Sequence, residues 1–332
     1  MWGRIIFLSH LIFWLLFSSL GQILYAQNQT SNTNARMPSD LNASDATQEA
    51  PGPINLLNNI TNSSDKLTVI SSFFPIHKFV EKVGGNVIES SLVIPAGIEP
   101  HDFEPTIGQI QKIDSADALV YNGLGFENWI TKISPAHKID ASNGLNVSYS
   151  DKRNMTLDPH VWLDPLLAKK QVENIRDGLV RIDPNNKQIY ISNAKTFSDE
   201  LDILDKTIKA QLESCKKRDF ISFHNSFSYF AKRYGLTQHS ISDTGPEAEV
   251  TASRLAETIN LAKSLDLRVI YSEELMDSRY ALVIAQEIPN SKVLVLSPIE
   301  GLTKNEQDAG IGYIDKMHEN IKNLAAGLEC NQ

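Results

Sequence analysis

The sequence predicts an α/β protein of two doubly wound parallel-sheet lobes joined by one long rigid helix. Three observations predict it. Short β-branched and aromatic runs alternate with helix-period segments in both halves of the folded part. Between these halves, residues 185–213 carry apolar side chains mainly at threes and fours and contain no Gly or Pro. A chain of 332 residues with 42% hydrophobic content is also long enough for two domains of ordinary size.

Residues 1–26 read as a signal peptide or membrane anchor, with Arg4 ahead of an apolar run over 5–25 and Ala26 at a plausible cleavage point. The run is close to the ~20 residues that span a bilayer, so cleavage and retention both fit. No cysteine follows it to carry a lipid. Residues 27–65 are rich in Asn, Ser and Thr and too poor in apolar side chains to offset ordering, which predicts a disordered tether. Asn-x-Ser/Thr acceptors at Asn28, Asn42, Asn59, Asn62, Asn146 and Asn154 fit an outward-facing glycoprotein.

The N-terminal lobe is expected over 66–183. It reads as strands at 67–70, 86–94 and 118–121, with helices at 75–83 and from Thr106, where Ile107, Ile110 and Ile113 share a face. Residues 123–129 are expected to open a further helix. The linking helix, 184–214, is expected to run ~30 residues, or ~45 Å, through Ile189, Ile191, Ala194, Phe197, Leu201, Ile203, Leu204, Ile208 and Leu212. The C-terminal lobe, 215–332, repeats the alternation, with strands at 219–223, 237–241, 268–271 and 292–296. Helices are expected at 226–234, 252–264 and 279–287.

A formal net charge of −9 without a Lys/Arg cluster excludes a nucleic-acid partner. Two cysteines, Cys215 and Cys330, exclude a disulfide scaffold and a thiolate zinc site; they are either bridged to each other or free. The histidines carry more information. In Leu157-Asp-Pro-His-Val-Trp-Leu-Asp-Pro165, His160 sits between two Asp-Pro steps, each stiffening the backbone. His101 is bracketed by Pro100 and Pro105, and His224 ends an apolar run. In an open α/β sheet ligands bind beyond the carboxyl ends of the strands, which is where His101, His160, His224 and Glu300 fall, two from each lobe. Three imidazoles and a carboxylate form a closed tetrahedral set suited to Zn²⁺, whereas Mn²⁺ prefers more oxygen. His77 on the first helix, His137 in a polar loop, His239 in a strand and His318 on the last helix are read as structural.

Four segments carry a resemblance: Pro100-His-Asp-Phe-Glu-Pro-Thr106, Gly123-Leu-Gly-Phe-Glu-Asn-Trp129, Asp158-Pro-His-Val-Trp-Leu-Asp-Pro165 and Pro298-Ile-Glu-Gly-Leu-Thr303. In kind and order the chain resembles the zinc/manganese substrate-binding proteins of metal ABC transporters from about Leu67 to Leu328. That resemblance implies a metal in the cleft between two lobes and delivery to a membrane permease driven by a cytoplasmic ATPase. It implies His101, His160 and His224 as the first three ligands, and histidine at the third place resembles the zinc side. The fourth falls on Glu300 where many members have an aspartate, with Glu273 and Glu274 as runners-up. The histidine-rich loop of many zinc members is lacking, since residues 137–157 hold only His137. An extracytoplasmic monomer, with no enzymatic activity, is expected. The competing classes are a secreted zinc metalloenzyme with a water on three histidines, for which no His-Glu-x-x-His helix exists, and a metal-dependent surface adhesin. Because imidazoles coordinate only when neutral, zinc binding is expected to weaken as pH falls through about 6.5.

Overall fold

The computed structural model describes residues 66–151, 156–242 and 249–331. The expected signal or anchor, the tether, and the acceptors Asn28, Asn42, Asn59, Asn62 and Asn154 lie outside the described residues; Asn146 is exposed. Among the described residues no helix is long and apolar enough to cross a membrane.

The first lobe runs β1 (Leu67–Ser71), α1 (Phe74–Gly84), β2 (Ile88–Leu92), α2 (Ile107–Asp114), β3 (Ala118–Tyr121) and β4 (His137–Asp140). A small hairpin, β5 (Tyr149–Asp151) with β6 (Thr156–Leu157), then leads to α3 (Pro165–Ile182). The four-stranded sheet is parallel in the order β2-β1-β3-β4. Its inner strands are near-continuous apolar runs because helices cover both faces, burying Val69, Ile70, Leu119 and Val120. Thr106 starts α2 through a capping box: its hydroxyl accepts from the Gln109 N–H, and the Gln109 side chain accepts from the Thr106 N–H.

Three local expectations are corrected in this lobe. Residues 123–129 form a turn instead of opening a helix, because Gly123, Leu124 and Gly125 take φ of 85°, 58° and 82°. The turn folds around Glu127, whose buried carboxylate accepts the N–H groups of Asn122 (2.8 Å) and Gly123 (3.1 Å). His137 is not in a loop but starts β4, an exposed edge strand whose polar outer residues hide its period. The 18-residue α3 was not expected at all. Its signals are present nonetheless: the Asp164 carboxylate caps it by accepting from Leu166 and Leu167, Pro165 occupies the first turn, and Ala168, Val172, Ile175 and Leu179 form the buried stripe.

The linking helix α4 (Lys187–Glu213) has 27 residues, ~40 Å at 1.5 Å per residue. Tyr190, Ala194, Phe197, Leu201, Leu204, Ile208 and Leu212 face inward. Ile189, Ile191 and Ile203 do not; they point outward at 38%, 38% and 63% exposure. The second lobe continues with β7 (Asp219–His224), α5 (Ser228–Tyr234), β8 (Thr237–Ser242), α6 (Ala252–Ser264), β9 (Val269–Ser272), α7 (Arg279–Gln286), β10 (Lys292–Val295), α8 (Lys304–Asp308) and α9 (Tyr313–Gly327). Its parallel sheet, β10-β9-β7-β8, has the same winding as the first, the second strand lying outside the first and the third on the other side. Winding therefore reverses between β1 and β3 and again between β7 and β9, where crevices open at the carboxyl ends. α9 packs back onto α4, and Tyr313 meets Phe79 of α1 with ring centroids 4.9 Å apart, so one core runs through both lobes. Cys215 and Cys330 form a disulfide that ties the end of α4 to the end of the chain.

Candidate metal centre

Both lobes turn their strand ends toward one point. His224 is the last residue of β7, and Glu273 follows β9, so the pair stands at the second lobe's switch point. His160 precedes a 3-10 turn over Val161–Leu163, in the connection between β6 and α3. His101 lies in the loop between β2 and α2, and Glu300 in the loop between β10 and α8. His160, His224 and Glu300 are buried, while the His101 side chain keeps 21% exposure at the mouth.

The donor atoms converge. Glu300 Oε1 lies 3.2 Å from His101 Nε2, 3.1 Å from His160 Nε2 and 3.5 Å from His224 Nε2, and the two buried imidazoles approach at 3.2 Å. All four residues offer a ligand atom within 4.8 Å of the others. A regular tetrahedron has edges ~1.63 times its centre-to-vertex distance, so bonds of ~2.0–2.1 Å to zinc require edges of ~3.3–3.4 Å. The four separations above, 3.1–3.5 Å, bracket that length.

The outer partners explain why a cation belongs there. Asp158 Oδ1 accepts from both the backbone N–H (3.1 Å) and Nδ1 (2.8 Å) of His160, and Glu273 Oε1 does the same for His224 at 3.2 and 2.8 Å. With each Nδ1–H donated to a carboxylate, each Nε2 presents a lone pair. Two lone pairs and a carboxylate then face one another in a buried site, an arrangement that a proton or a metal ion resolves. Glu300 Oε2 is buried with no hydrogen-bond partner among the described residues, leaving the side chain to act through Oε1. Burial opposes charge on His160 and His224, but carboxylates outweigh it: Asp158 and Glu300 hold His160, and Glu273 and Glu300 hold His224, above the usual imidazole range. Burial likewise opposes charge on Glu300, yet the imidazoles of His101 and His224 hold its carboxyl well below the usual range.

Residues 69–327 match the family model of ZnuA, zinc-uptake complex component A, periplasmic. The chain belongs to the ZnuA family. It is 37% identical over 282 residues to the high-affinity zinc uptake system protein ZnuA of Bacillus subtilis (strain 168), the match covering 80% of this chain and 88% of that protein. It is 35% identical over 286 residues to the zinc-binding protein AdcA of Streptococcus pyogenes serotype M18, covering 78% of this chain and only 55% of that longer relative. Among solved structures, the Zn(II)-bound ZnuA-like domain of Streptococcus pneumoniae AdcA superposes with a TM-score of 0.71 at 34% identity, over 80% of this chain and 99% of that one.

The structure brings His101, His160, His224 and Glu300 together, and the runners-up have other partners. Glu273 serves His224, and Glu274 pairs with Lys316 of α9 at 3.3 Å. His77 pairs with Glu81 and His239 with Asp219, both away from the centre. Sequence reasoning missed Asp158 and Glu273 as orienting groups, although Asp158 stands two residues before His160 in the quoted motif. The helix expected at 226–234 is α5, but its role at the site was not foreseen: its Ser228 hydroxyl donates to Asp158 Oδ2 and its Tyr229 hydroxyl donates to the Asp158 carbonyl at 2.9 Å. A helix of the second lobe thus secures the histidine motif of the first.

Proposed function

We propose that this chain captures Zn²⁺ outside the cytoplasm through His101, His160, His224 and Glu300 and delivers it to the permease of an ABC transporter that a cytoplasmic ATPase drives. The convergence of four donors within 4.8 Å of one another, two from each lobe, with Glu300 Oε1 3.1–3.5 Å from all three imidazoles, carries this reading. Membership of the ZnuA family and the zinc named for its relatives support it. A set closed by four protein donors leaves no open position for an activated water, which a hydrolytic zinc needs. Residues 66–183 and 215–332 act as the two lobes and 184–214 as their rigid spine, and the N-terminal segment exports a monomeric protein, as a cleaved signal or a retained anchor.

The test is elemental analysis of purified protein together with thermal melts. Zinc is expected at one ion per chain, and free zinc near 1,000 times Kd should raise stability by ~4 kcal/mol. His160→Ala should abolish that rise and His318→Ala should leave it intact. An identical melting temperature in zinc and in chelator, or manganese retained in preference to zinc, would sink the reading.

A further inference from the structure

Tyr313, Lys316 and Asn320 stand three and four residues apart, on one face of α9, and are 2%, 1% and 2% exposed. That face grips the stretch that leads into Glu300. Asn320 Oδ1 accepts from the Ser297 N–H at 2.8 Å while its Nδ2 donates to the Ser297 carbonyl at 2.6 Å, as a neighbouring strand would. The Ser297 hydroxyl accepts from the Ile299 N–H at 3.0 Å and donates to Glu274, which faces Lys316 Nζ at 3.3 Å. Lys316 is braced in turn by Glu306 at 2.7 Å and Glu319 at 3.2 Å. From the other side, Trp162 Nε1 donates to the Pro298 carbonyl at 2.7 Å, and the Tyr313 hydroxyl donates to the Trp162 carbonyl at 2.6 Å.

Between these grips Ile299 takes φ of 59° and is fully buried. A β-branched side chain enters the left-handed region only where its surroundings impose it, and such residues cluster at functional sites. The next residue is Glu300. We propose that Asn320 is a positioning residue for Glu300: its paired bonds to Ser297 hold the 297–299 turn with Ile299 in the left-handed region and so aim the carboxylate at the three imidazoles. Lys316 supports the same turn through Glu274. The inference rests on the zinc reading above.

The test is a double-mutant cycle on zinc affinity, measured by competition with a chromophoric chelator. Asn320→Leu keeps the volume and removes both bonds; Ser297→Ala removes only the hydroxyl. With Glu300 present, Asn320→Leu should lower zinc affinity ~10-fold or more, the scale seen when the outer partner of a metal ligand is lost. In a Glu300→Ala background the same change should lower it less than about twofold, because Asn320 acts only through the missing carboxylate. The visible spectrum of the cobalt-substituted Asn320→Leu protein should match that of Glu300→Ala rather than the four-coordinate parent. Ser297→Ala, which tests only the hydroxyl arm through Glu274, should show a smaller loss confined to the Glu300 background; if Asn320→Leu does not fold, Asn320→Asp, which keeps the acceptor for the Ser297 N–H and loses the donor to its carbonyl, decides the matter in the same two backgrounds. Equal losses in both backgrounds overturn the positioning role and leave zinc capture standing. Failure of the unaltered protein to bind zinc overturns the reading beneath it.

Discussion

At the scale of the residue, the pH response of the centre is set by carboxylates as much as by imidazoles. His160 and His224 are held above the ordinary value of 6.5 by Asp158, Glu273 and Glu300 against the effect of burial. A raised proton affinity keeps these rings charged to higher pH, and a charged ring cannot coordinate. Zinc affinity is therefore complete only above the raised values and falls as pH drops through them. The decline measured by chelator competition should begin above pH 6.5, earlier than free histidines suggest; a midpoint at or below 6.5 would contradict this. Glu273→Gln separates the two roles of its carboxylate. Affinity at high pH should fall ~10-fold, as for other outer partners, while the acid midpoint should move down because the His224 ring has lost the charge that stabilised its proton. A variant indistinguishable from the parent in both readouts would remove Glu273 from the site.

At the scale of the element, α4 shows which part of a periodic pattern carries stability. Leu204 is 1% exposed and Ile203, its neighbour, 63%. Leu204→Ala should destabilise the fold by ~2–5 kcal/mol in denaturant titration, and Ile203→Ala by no more than ~0.5 kcal/mol. Comparable losses would mean that the helix does not lie against the core as described. The inward stripe was legible because 3.6-residue periodicity survives without knowledge of the neighbours. Three isoleucines were assigned to it that face outward, since a one-dimensional pattern does not show where the apolar face ends. The turn at 123–129 was misread for a related reason: Phe126 and Trp129 suit a helix, but positive φ at three successive residues and the demand of a buried carboxylate overrode that suitability. α3 and β4 had signals in the chain, a cap and stripe in one case and a short Ile-centred edge in the other, that the prominence of the histidine motif and the polar surround obscured.

At the scale of the molecule, the two lobes form one body through α4, α9 and the bridge at Cys215–Cys330. The bridge closes a loop of 115 residues, and removing such a native link typically costs ~2–5 kcal/mol. The Cys215→Ser, Cys330→Ser double variant should melt at lower temperature yet keep its zinc affinity, because the bridge joins the ends of the C-terminal lobe and no donor depends on it. A loss of affinity matching that of Glu273→Gln would show instead that closure of this lobe tensions the cleft. A continuous core and a long helix join the lobes, and the His101 side chain keeps partial access at the edge of the cleft.

The sequence by itself determined the alternation of strands and helices, the long spine, and the histidines and acids from which a zinc set could be drawn, because periodicity and ligand chemistry are local properties that need no neighbours. Only the tertiary structure decided that the four donors meet, that Asp158 and Glu273 fix the imidazole tautomers, and that α9 braces the turn before Glu300. Distances between groups as remote as His101 and Glu300 depend on how two sheets pack across one core. That packing sums many weak apolar contacts, and no spacing along the chain records their result.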